Sequence, residues 1–430
     1  MKENFNDYSD VLDYLSKNDR SPENKVLNLT QCNFCFALNL EMLFFSLKES
    51  KYTFSYLHFQ NSDFQNPVNL FLVNQESINF DIDFRGCHFF DIVEFSGAEF
   101  CRDINFINTI FEKEVKFSEL VFKKCLRLFG TSFHANVYFA NLELNNRSIF
   151  FTNNNDRTKF EGNLYFFNVT FNEAKFWDFV FLNDVFFQNT IFNCPALFNN
   201  SKFLGKTVLS SIETIGLTEF NNKVYFDYAE INDLNLENIV FDKVISFNYA
   251  TIRSISIENV HCYGFPLSLV GTNIGKVRNE GTARFLKSEA MKSNDPFLIA
   301  EQNTKEMNMH YNKLSWFKKK DFFDKTILFF NKYSTNFGDR WQQGVGFILL
   351  SWALSFSSII MLRDGIGSTF IWFDKRYLKE ALEFLWQFGS FEVLGRSCGI
   401  LEILMFIFGK ILIIYGVYQT IAAFRKYGRK

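Results

Sequence analysis

The sequence predicts a mainly β chain, in which stacked short strands are followed by helices and then by two helices able to cross a membrane. Large apolar residues recur every eleven residues in two series that are offset by five. An uncharged residue stands two positions before each of them, and most charged residues lie between. Apolar residues at i and i−2 around a polar one are typical of a strand with one buried face. Repeated at a fixed interval, such strands should stack as a solenoid, in which each coil contacts only its neighbours.

The inward positions can be counted from Ile82 onwards. The first series is Phe84, Phe95, Phe106, Phe117, Leu128, Phe139 and Phe150, and the second is Phe89, Phe100, Phe111, Phe122, Phe133 and Leu144. The residues two positions before the first series are Ile82, Val93, Ile104, Val115, Leu126, Val137 and Ser148. Those before the second are Cys87, Ala98, Thr109, Leu120, Thr131 and Leu142. Because none of these side chains carries a charge, we expect them to form one continuous hydrophobic core, rich in stacked rings.

Stretches such as Ala98-Glu99-Phe100 and Thr131-Ser132-Phe133 resemble the repeats of the pentapeptide-repeat proteins. The resemblance covers residues 27–262 and implies a right-handed, four-sided β-helix. In that fold the bulky centre residue and the small residue two before it both point inward. This chain departs from the family because its centre residue is mostly Phe rather than Leu. Its spacing also alternates five with six, which makes about 22 residues per coil.

Residues 1–50 should form helical segments, the first coil and a cap. Asn6 to Lys17 has apolar residues at helical spacing, and Glu41 to Ser50 is apolar enough to cover the open end of the stack. Leu29 and Phe34 lie five residues apart, with Cys32 two before the second, so they fit the strand pattern. A cap is expected because the end coil of a stack exposes unpaired backbone groups.

Residues 51–262 should form the body of the β-helix, with a polar insertion from Arg147 to Lys159 as a protruding loop. Beyond the insertion the inward positions continue through Phe166, Phe171, Phe187, Phe192, Leu197, Phe203, Phe226, Ile231, Leu236, Phe241, Phe247 and Ile252. At about 4.8 Å per coil, roughly nine or ten coils would make a rod on the order of 45 Å long.

Residues 263–340 change to a helical period and should form a linker and cap. Asp295-Pro296 predicts a helix start, because a carboxylate caps free amides and proline suits the first helical position. Behind it, less polar residues fall on alternating steps of three and four, at Phe297, Ala300, Thr304, Met307, Tyr311 and Leu314. Such an assembly seam is typical of an amphipathic helix or a short coiled coil. Two interpretations stay open for it, packing on the last coil and self-association.

Residues 341–430 predict a membrane hairpin. Residues 344–362 are uncharged and 400–423 contain only Glu402 and Lys410 as charged residues, and each segment is long enough to cross a hydrocarbon core of about 30 Å. Between them, residues 374–388 predict an amphipathic helix at the membrane interface. Its expected apolar side comprises Tyr377, Leu378, Ala381, Leu382 and Leu385.

Two spans place both chain ends on one side of the membrane, and we expect that side to be the cytoplasm of a bacterial inner membrane. Lys318-Lys319-Lys320 and the run Arg425 to Lys430 make both outer flanks basic. The first residues, Met1-Lys2-Glu3-Asn4, lack the apolar region of a secretory signal. The eight cysteines follow no disulfide spacing, which suggests a reducing compartment.

The motifs favour a binding protein over an enzyme, and no catalytic, cofactor-binding or metal-binding residue is predicted. Cys32-Asn33-Phe34-Cys35 is a single Cys-x-x-Cys without a second pair, so a core position is favoured over zinc or redox chemistry. Gly205-Lys206-Thr207 reads like the end of a phosphate loop, but Asn200 replaces its first glycine. A net charge of −2 gives no field that would attract nucleic acid.

Lys410 and Glu402 are the candidate functional residues within the predicted spans. Lys410 is singled out because an ionisable side chain deep inside an apolar span is costly and usually faces protein or a watery path. Four interpretations stay open for Lys410. Its ammonium could snorkel to the membrane surface or pair with Glu402. Alternatively, it could line a passage or bind an anionic lipid head group.

Two functions follow from this organisation. The first is a membrane protein whose cytoplasmic β-helix is a scaffold that binds other proteins, with the lipid bilayer as its other partner. The second is an oligomeric membrane pore or effector that is gated by the β-helix, with homo-oligomers assembled through the seam. Some pentapeptide-repeat proteins mimic duplex DNA, but the near-neutral charge and the membrane tether argue against that role here.

Overall fold

The structure is a computed structural model that describes residues 2–18, 26–144, 158–172, 176–177, 179–212, 218–263, 265, 267–365, 375–385 and 399–428. The chain divides into two compact units, Met1–Arg278 and Asn279–Lys430. The first consists mainly of strands, and the second consists of helices. The division falls later than the predicted boundary after residue 262, because strand pairing continues to Val277.

The described residues of the first unit form thirty strands and two helices. The helices are α1 (Tyr8–Asn18) and α2 (Leu40–Glu49). The strands before the predicted insertion are β1 (Glu3–Phe5), β2 (Val26–Asn28), β3 (Cys32–Phe34), β4 (Leu38–Asn39), β5 (Tyr56–His58), β6 (Asp63–Phe64), β7 (Val68–Ile78), β8 (Asp81–Asp83), β9 (His88–Phe89), β10 (Val93–Phe100), β11 (Ile104–Asn105), β12 (Ile110–Phe111), β13 (Val115–Ser118), β14 (Val121–Phe122), β15 (Leu126–Arg127), β16 (Ser132–Phe133) and β17 (Val137–Leu144). Those after it are β18 (Lys159–Phe160), β19 (Leu164–Phe171), β20 (Val180–Phe181), β21 (Val185–Gln188), β22 (Ile191–Phe192), β23 (Ala196–Leu197), β24 (Lys202–Ser210), β25 (Thr218–Phe220), β26 (Val224–Tyr225), β27 (Glu230–Phe241), β28 (Ile245–Ser246), β29 (Thr251–Cys262) and β30 (Asn273–Val277).

These strands pair in parallel and form a closed parallel sheet, with two smaller sheets of five and three strands. Between β10 and β17 the paired residues lie 22 positions apart, so that Phe95, Phe117 and Phe139 come into one column. The same step joins Ile82, Ile104 and Leu126 in the five-stranded sheet. The predicted coil length of about 22 residues, which is two steps of eleven, is therefore the offset between paired strands in this stretch.

The core of this unit is a set of stacked aromatic rings. Every described member of the two predicted series, and every described residue two positions before one, is at most 3 % exposed. Ring centroids in successive pairs lie 5.1 Å apart for Phe84 and Phe106 and 4.9 Å apart for Phe111 and Phe133. Phe150, Ser148 and most of the predicted insertion fall outside the described residues.

One predicted inward position after the insertion is wrong. Leu197 is half-buried, whereas Ala196 and Phe198 on either side of it are fully buried. The prediction placed the next inward residue five positions after Phe192. Since the preceding step, from Phe187 to Phe192, is also five, the alternation of five and six places it six positions on, at Phe198. Because side chains in a strand alternate between faces, a slip of one residue exchanges the inward and outward sets.

The second unit contains six described helices: α3 (Glu280–Lys292), α4 (Pro296–Lys313), α5 (Lys319–Thr335), α6 (Trp341–Asp364), α7 (Lys375–Leu385) and α8 (Ile400–Gly428). The predicted start of α4 is confirmed, since the Asp295 carboxylate accepts hydrogen bonds from the backbone amides of Phe297 and Leu298, each at 3.0 Å. By length and composition, α6 and α8 are apolar enough to cross a membrane.

Of the predicted seam of α4, Thr304 is buried, and the other residues are half-buried or exposed. Gln302, Thr304 and Glu306 are the buried residues of this helix, whereas Phe297 at the start of the seam is 60 % exposed. Glu306 accepts hydrogen bonds from Arg284 at 3.1 Å and from Lys287 at 2.9 Å. These cations belong to α3, so the orientation of α4 is determined by charge pairing with α3 as well as by its apolar period. The other seam residues, Ala300, Met307, Tyr311 and Leu314, are half-buried.

Candidate functional site

The candidate site in the second unit begins with the close packing of α6 against α8. Glycines on α8 allow this approach. A Cβ atom added to Gly409 would lie 2.5 Å from the Cβ of Ser355, and one added to Gly416 would lie 2.7 Å from Cγ1 of Ile348. In a membrane, small residues at such crossings let helix backbones come close enough for extensive van der Waals contact.

Helix α7 packs onto this pair through an aromatic cluster. The ring centroid of Phe384 lies 5.4 Å from that of Phe406 on α8 and 6.1 Å from that of Phe356 on α6. Ala381 is buried in the same cluster. By contrast, Leu378 and Leu382, which the sequence placed on the apolar side of this helix, are exposed. The buried stripe of α7 is therefore rotated from the predicted one, because Phe384 packs between the two long helices.

Two polar side chains of the long helices hold the carbonyl end of α7. The Trp352 indole Nε1 donates to the carbonyl oxygen of Ala381 at 2.7 Å. The Lys410 Nζ donates to the carbonyl oxygen of Phe384 at 2.6 Å. The last carbonyls of a helix lack intrahelical partners and carry partial negative charge, so a cation stabilises this end.

Lys410 is surrounded by aromatic side chains at this point. It is only 9 % exposed. Its Nζ lies 5.0 Å from the ring centroid of Phe384 and 5.6 Å from that of Phe406, which is within the range of cation–π attraction. The ammonium is therefore positioned by both a backbone acceptor and two ring faces.

Glu402, the second predicted residue, lies at the start of α8 rather than beside Lys410. Its carboxylate accepts a hydrogen bond from the backbone amide of Gly399 at 3.1 Å, which satisfies a free amide of the first turn. Eight residues of helix separate Glu402 from Lys410, or about 12 Å along the axis. The described hydrogen bond of Lys410 goes to α7, and that of Glu402 stays within its own helix.

The opposite end of α7 is held by charge. The Arg363 guanidinium at the end of α6 pairs with Glu380 at 3.0 Å. The hydroxyl of Tyr377 donates to the carboxylate of Asp364 at 3.2 Å. Together with Lys410 and Trp352, these contacts bind α7 along its whole described length. Sequence reasoning missed Phe384 and Trp352, although Phe384 stands three residues after Ala381, on the same helical face.

A second candidate surface lies on the five-stranded sheet of the first unit. Its outward side chains surround a groove of about 600 Å³, lined by Tyr56, His58, Asp81, Asp83, Arg85, Arg102, Asp103, Asn105, Lys124, Cys125 and Arg127. The guanidinium of Arg127 pairs with Asp103 at 2.7 Å and donates to the amide oxygen of Asn105 at 2.9 Å. Residues of both signs therefore stand side by side on this face. The signal in the sequence is the 22-residue step, which places Asp83, Asn105 and Arg127 in one column.

The short chemical motifs do not come together as sites. Cys32 is buried, and burial raises the pKa of its thiol to about 12, whereas Cys35 is exposed. Lys206 and Thr207 lie within β24, and Thr207 is buried there. Among the residues that the structure describes, no group of three or more His, Cys, Asp and Glu side chains could hold a metal ion.

Comparison of the chain with models of known protein families, with curated proteins and with solved structures finds no match. What the protein does must therefore be inferred from its own residues.

Proposed function

We propose that this chain is a bacterial inner-membrane protein that presents a cytoplasmic, right-handed β-helix of the pentapeptide-repeat type as a protein-recognition scaffold. The β-helix is supported by parallel pairing at a 22-residue step and by one column of stacked rings after another. A chain that completes one coil every 22 residues would bring equivalent residues of successive coils into these columns.

The membrane part of the proposal is supported by α6 and α8. Both helices are long and apolar enough to cross a hydrocarbon core. Many of their large apolar side chains are exposed, among them Leu350, Leu354, Ile407 and Ile411. In water such a surface would be unfavourable, whereas in a bilayer it faces acyl chains.

The charged groove on the five-stranded sheet is the observation that carries the scaffold role. In the first unit, Met1–Arg278, which we call the strand unit, stacked rings occupy the inward positions. A partner protein would therefore contact its outward side chains. The groove offers carboxylates, guanidinium groups and an exposed tyrosine, Tyr56, on one rigid sheet. Paired charges give specificity and orientation rather than large affinity, which suits a protein partner with a complementary mixed-charge surface.

Site-specific crosslinking in cells tests this role. A photo-crosslinking residue at Tyr56 in the full chain should capture a defined set of proteins. Reversal of two groove charges, Arg102→Glu with Lys124→Glu, should abolish that set. The matched control, Lys223→Glu with Lys243→Glu, makes the same charge change at exposed lysines outside the groove and should preserve it. If both double variants captured the same crosslinked proteins, recognition by the groove would be contradicted.

Labelling with a membrane-impermeant thiol reagent tests the topology. Cysteines placed at Lys2 and at Lys430 should be protected in intact cells, relative to the wild-type background. A cysteine at Ser368, between the two spans, should react once the outer membrane is permeabilised. Positions 368 and 430 lie outside the described residues. Labelling at Lys2 before lysis would contradict the cytoplasmic assignment.

An oligomeric pore is the second candidate, and the packing of α7 between the two apolar helices favours it. If copies of this unit surrounded a passage, a cation at Lys410 would attract anions and repel cations where little water screens it. Single-channel recording of the reconstituted full chain should then show anion preference, which Lys410→Glu should reverse. Absence of conductance together with a monomeric mass in detergent would contradict the pore and leave the scaffold as the proposal.

A further inference from the structure

Helix α5 is joined to the same end of both apolar helices. The side-chain oxygen of Asn331 on α5 accepts hydrogen bonds from the Tyr415 hydroxyl at 2.7 Å and from Gln419 Nε2 at 2.9 Å, both on α8. Gln343 near the start of α6 donates to the carbonyl oxygens of Lys332 and Tyr333. The C-terminal end of α5 is therefore held where α6 begins.

The opposite part of α5 exposes large apolar side chains. Phe323 is 71 % exposed, and Phe322 and Ile327 are also exposed. Phe317, just before the helix, is 99 % exposed. Phe323, Ile327 and Phe330 are spaced by four and three residues, so they form one stripe of the helix. An exposed stripe of this size is typical of a surface that contacts a partner or a membrane.

This stripe is continuous with the apolar surface of the two long helices. Phe329, Phe330 and Tyr333 of α5 line one groove of about 710 Å³ together with side chains of α6 and α8. From α6 the groove includes Phe347, Leu350 and Leu354, and from α8 it includes Met405, Phe408 and Leu412. If α6 and α8 lie in a bilayer, the apolar face of α5 must meet the same lipid at its boundary.

Three free cations stand at the start of α5. Lys318, Lys319 and Lys320 are all exposed, and no described carboxylate lies within ion-pair distance of them. The two later lysines of the helix are used differently, since the Nζ atoms of Lys325 and Lys332 lie over the ring of Tyr311 at 4.9 and 4.7 Å. The polar end of the helix therefore offers positive charge beside an apolar face.

We propose that α5, with residues 316–318, lies in the membrane–water interface and that Lys318, Lys319 and Lys320 bind anionic phospholipid head groups. Phe323 and Ile327 then enter the boundary between head groups and acyl chains, as in other interfacial amphipathic helices. Each lysine near an anionic surface contributes about a factor of five to binding, so that three together give roughly a hundredfold. This inference rests on the proposed membrane location of α6 and α8.

Amide hydrogen exchange of the full chain in lipid nanodiscs tests the proposal. Exchange across residues 319–335 should be slower, by roughly tenfold to a hundredfold, in discs with 30 % phosphatidylglycerol than in discs of phosphatidylcholine alone. The variant Lys318→Gln/Lys319→Gln/Lys320→Gln should remove this lipid dependence. The matched variant Lys113→Gln/Lys223→Gln/Lys243→Gln loses the same charge from exposed lysines of the strand unit and should keep it.

The outcomes separate the inference from the membrane location on which it rests. A chain that enters nanodiscs but exchanges equally fast in α5 with and without phosphatidylglycerol overturns the interfacial role of α5 alone. Equal lipid dependence of the two triple variants also overturns it. A chain that does not enter nanodiscs overturns both. Phe323→Asp with Ile327→Asp should accelerate exchange of α5 in either lipid while incorporation stays normal.

Discussion

Phe117 shows what a single inward residue contributes. It is fully buried, and its ring centroid lies 5.3 Å from that of Phe139 and 5.7 Å from that of Phe95. The neighbouring side chain in β13, Lys116, points outward and pairs with Glu114 at the surface. Residues adjacent in sequence thus have opposite roles because strand side chains alternate.

Phe117→Asp should destabilise the strand unit by more than about 4 kcal/mol, since it buries an unpaired carboxylate among rings and removes a large apolar side chain. Lys116→Ala should change the free energy of unfolding by less than about 1 kcal/mol, as is usual for an exposed ion pair. Chemical unfolding followed by tryptophan fluorescence measures both. An unchanged transition for Phe117→Asp would show that the inward face is assigned wrongly.

Glu112 links three successive strand rows through two histidines. One carboxylate oxygen contacts His88 Nε2 at 2.7 Å, and the other contacts His134 Nδ1 at 2.9 Å. The hydrogen bond from His134, followed by that from His88, holds the pKa of the Glu112 carboxyl below its ordinary value of 4.5. A carboxyl with a lowered pKa in the folded chain stabilises it above the unfolded value, and that stability is lost as the pH falls through the folded value.

The melting temperature of the wild type should therefore fall more steeply below pH 4.5 than that of Glu112→Gln. The difference should be small, because the carboxylate is close to solvent. Glu114→Gln, two residues away on the same surface, should keep the steeper wild-type dependence. Parallel curves for the wild type and Glu112→Gln below pH 4.5 would contradict the role of the two histidines.

At the scale of elements, α7 is held more firmly than a helix lying free at a membrane surface. Its buried stripe contacts both long helices, and three side chains of α6 and α8 bind its polar atoms. The contact depends on Gly409, because a Cβ atom there would also lie 2.9 Å from Cζ of Phe384. The three helices therefore form one packed element rather than two spans with a loose loop.

Gly409→Ala should lower the stability of this element by roughly 1–3 kcal/mol, because Ser355 and Phe384 would have to move. Gly346→Ala is the matched control. It lies in the other long helix, and a Cβ atom added there meets nothing within 4 Å. Since alanine is the better helix former, Gly346→Ala should be neutral or slightly stabilising. Thermal denaturation in detergent, followed by size-exclusion chromatography, measures both; equal losses would contradict the close approach at Gly409.

At the scale of the whole molecule, the two units differ in the solvent that their surfaces suit. The stacked rings of Met1–Arg278 are buried within that unit, whereas α6 and α8 expose apolar side chains. Each unit has its own core, the ring columns in the first and the cluster around Phe384 in the second. Stability of the first unit should therefore be independent of lipid.

A chain that ends after Arg278 should remain in the supernatant after carbonate washing of membranes, and the full chain should stay in the pellet. The shortened chain should also unfold cooperatively, since its core residues are all present. Circular dichroism and sedimentation check these outcomes. A full chain that washes off the membrane would contradict the assignment of α6 and α8.

Features that depend on local period and composition can be predicted from the amino-acid sequence alone. The eleven-residue period predicts the inward residues from Phe84 to Leu144. The capping carboxylate of Asp295 predicts the start of α4, and the length of the apolar segments predicts α6 and α8. These features follow from alternation along a strand, from free amides at a helix start and from the thickness of a bilayer, all of which act within a short stretch of chain.

The partner that each side chain contacts depends on packing between elements that are distant in the chain. Lys410 was singled out in the sequence, but its acceptor is a carbonyl 26 residues earlier. The buried faces of α4 and α7 likewise depend on cations of α3 and on the rings beside Phe384. Such choices rest on contacts between distant residues, whose energies no local period contains.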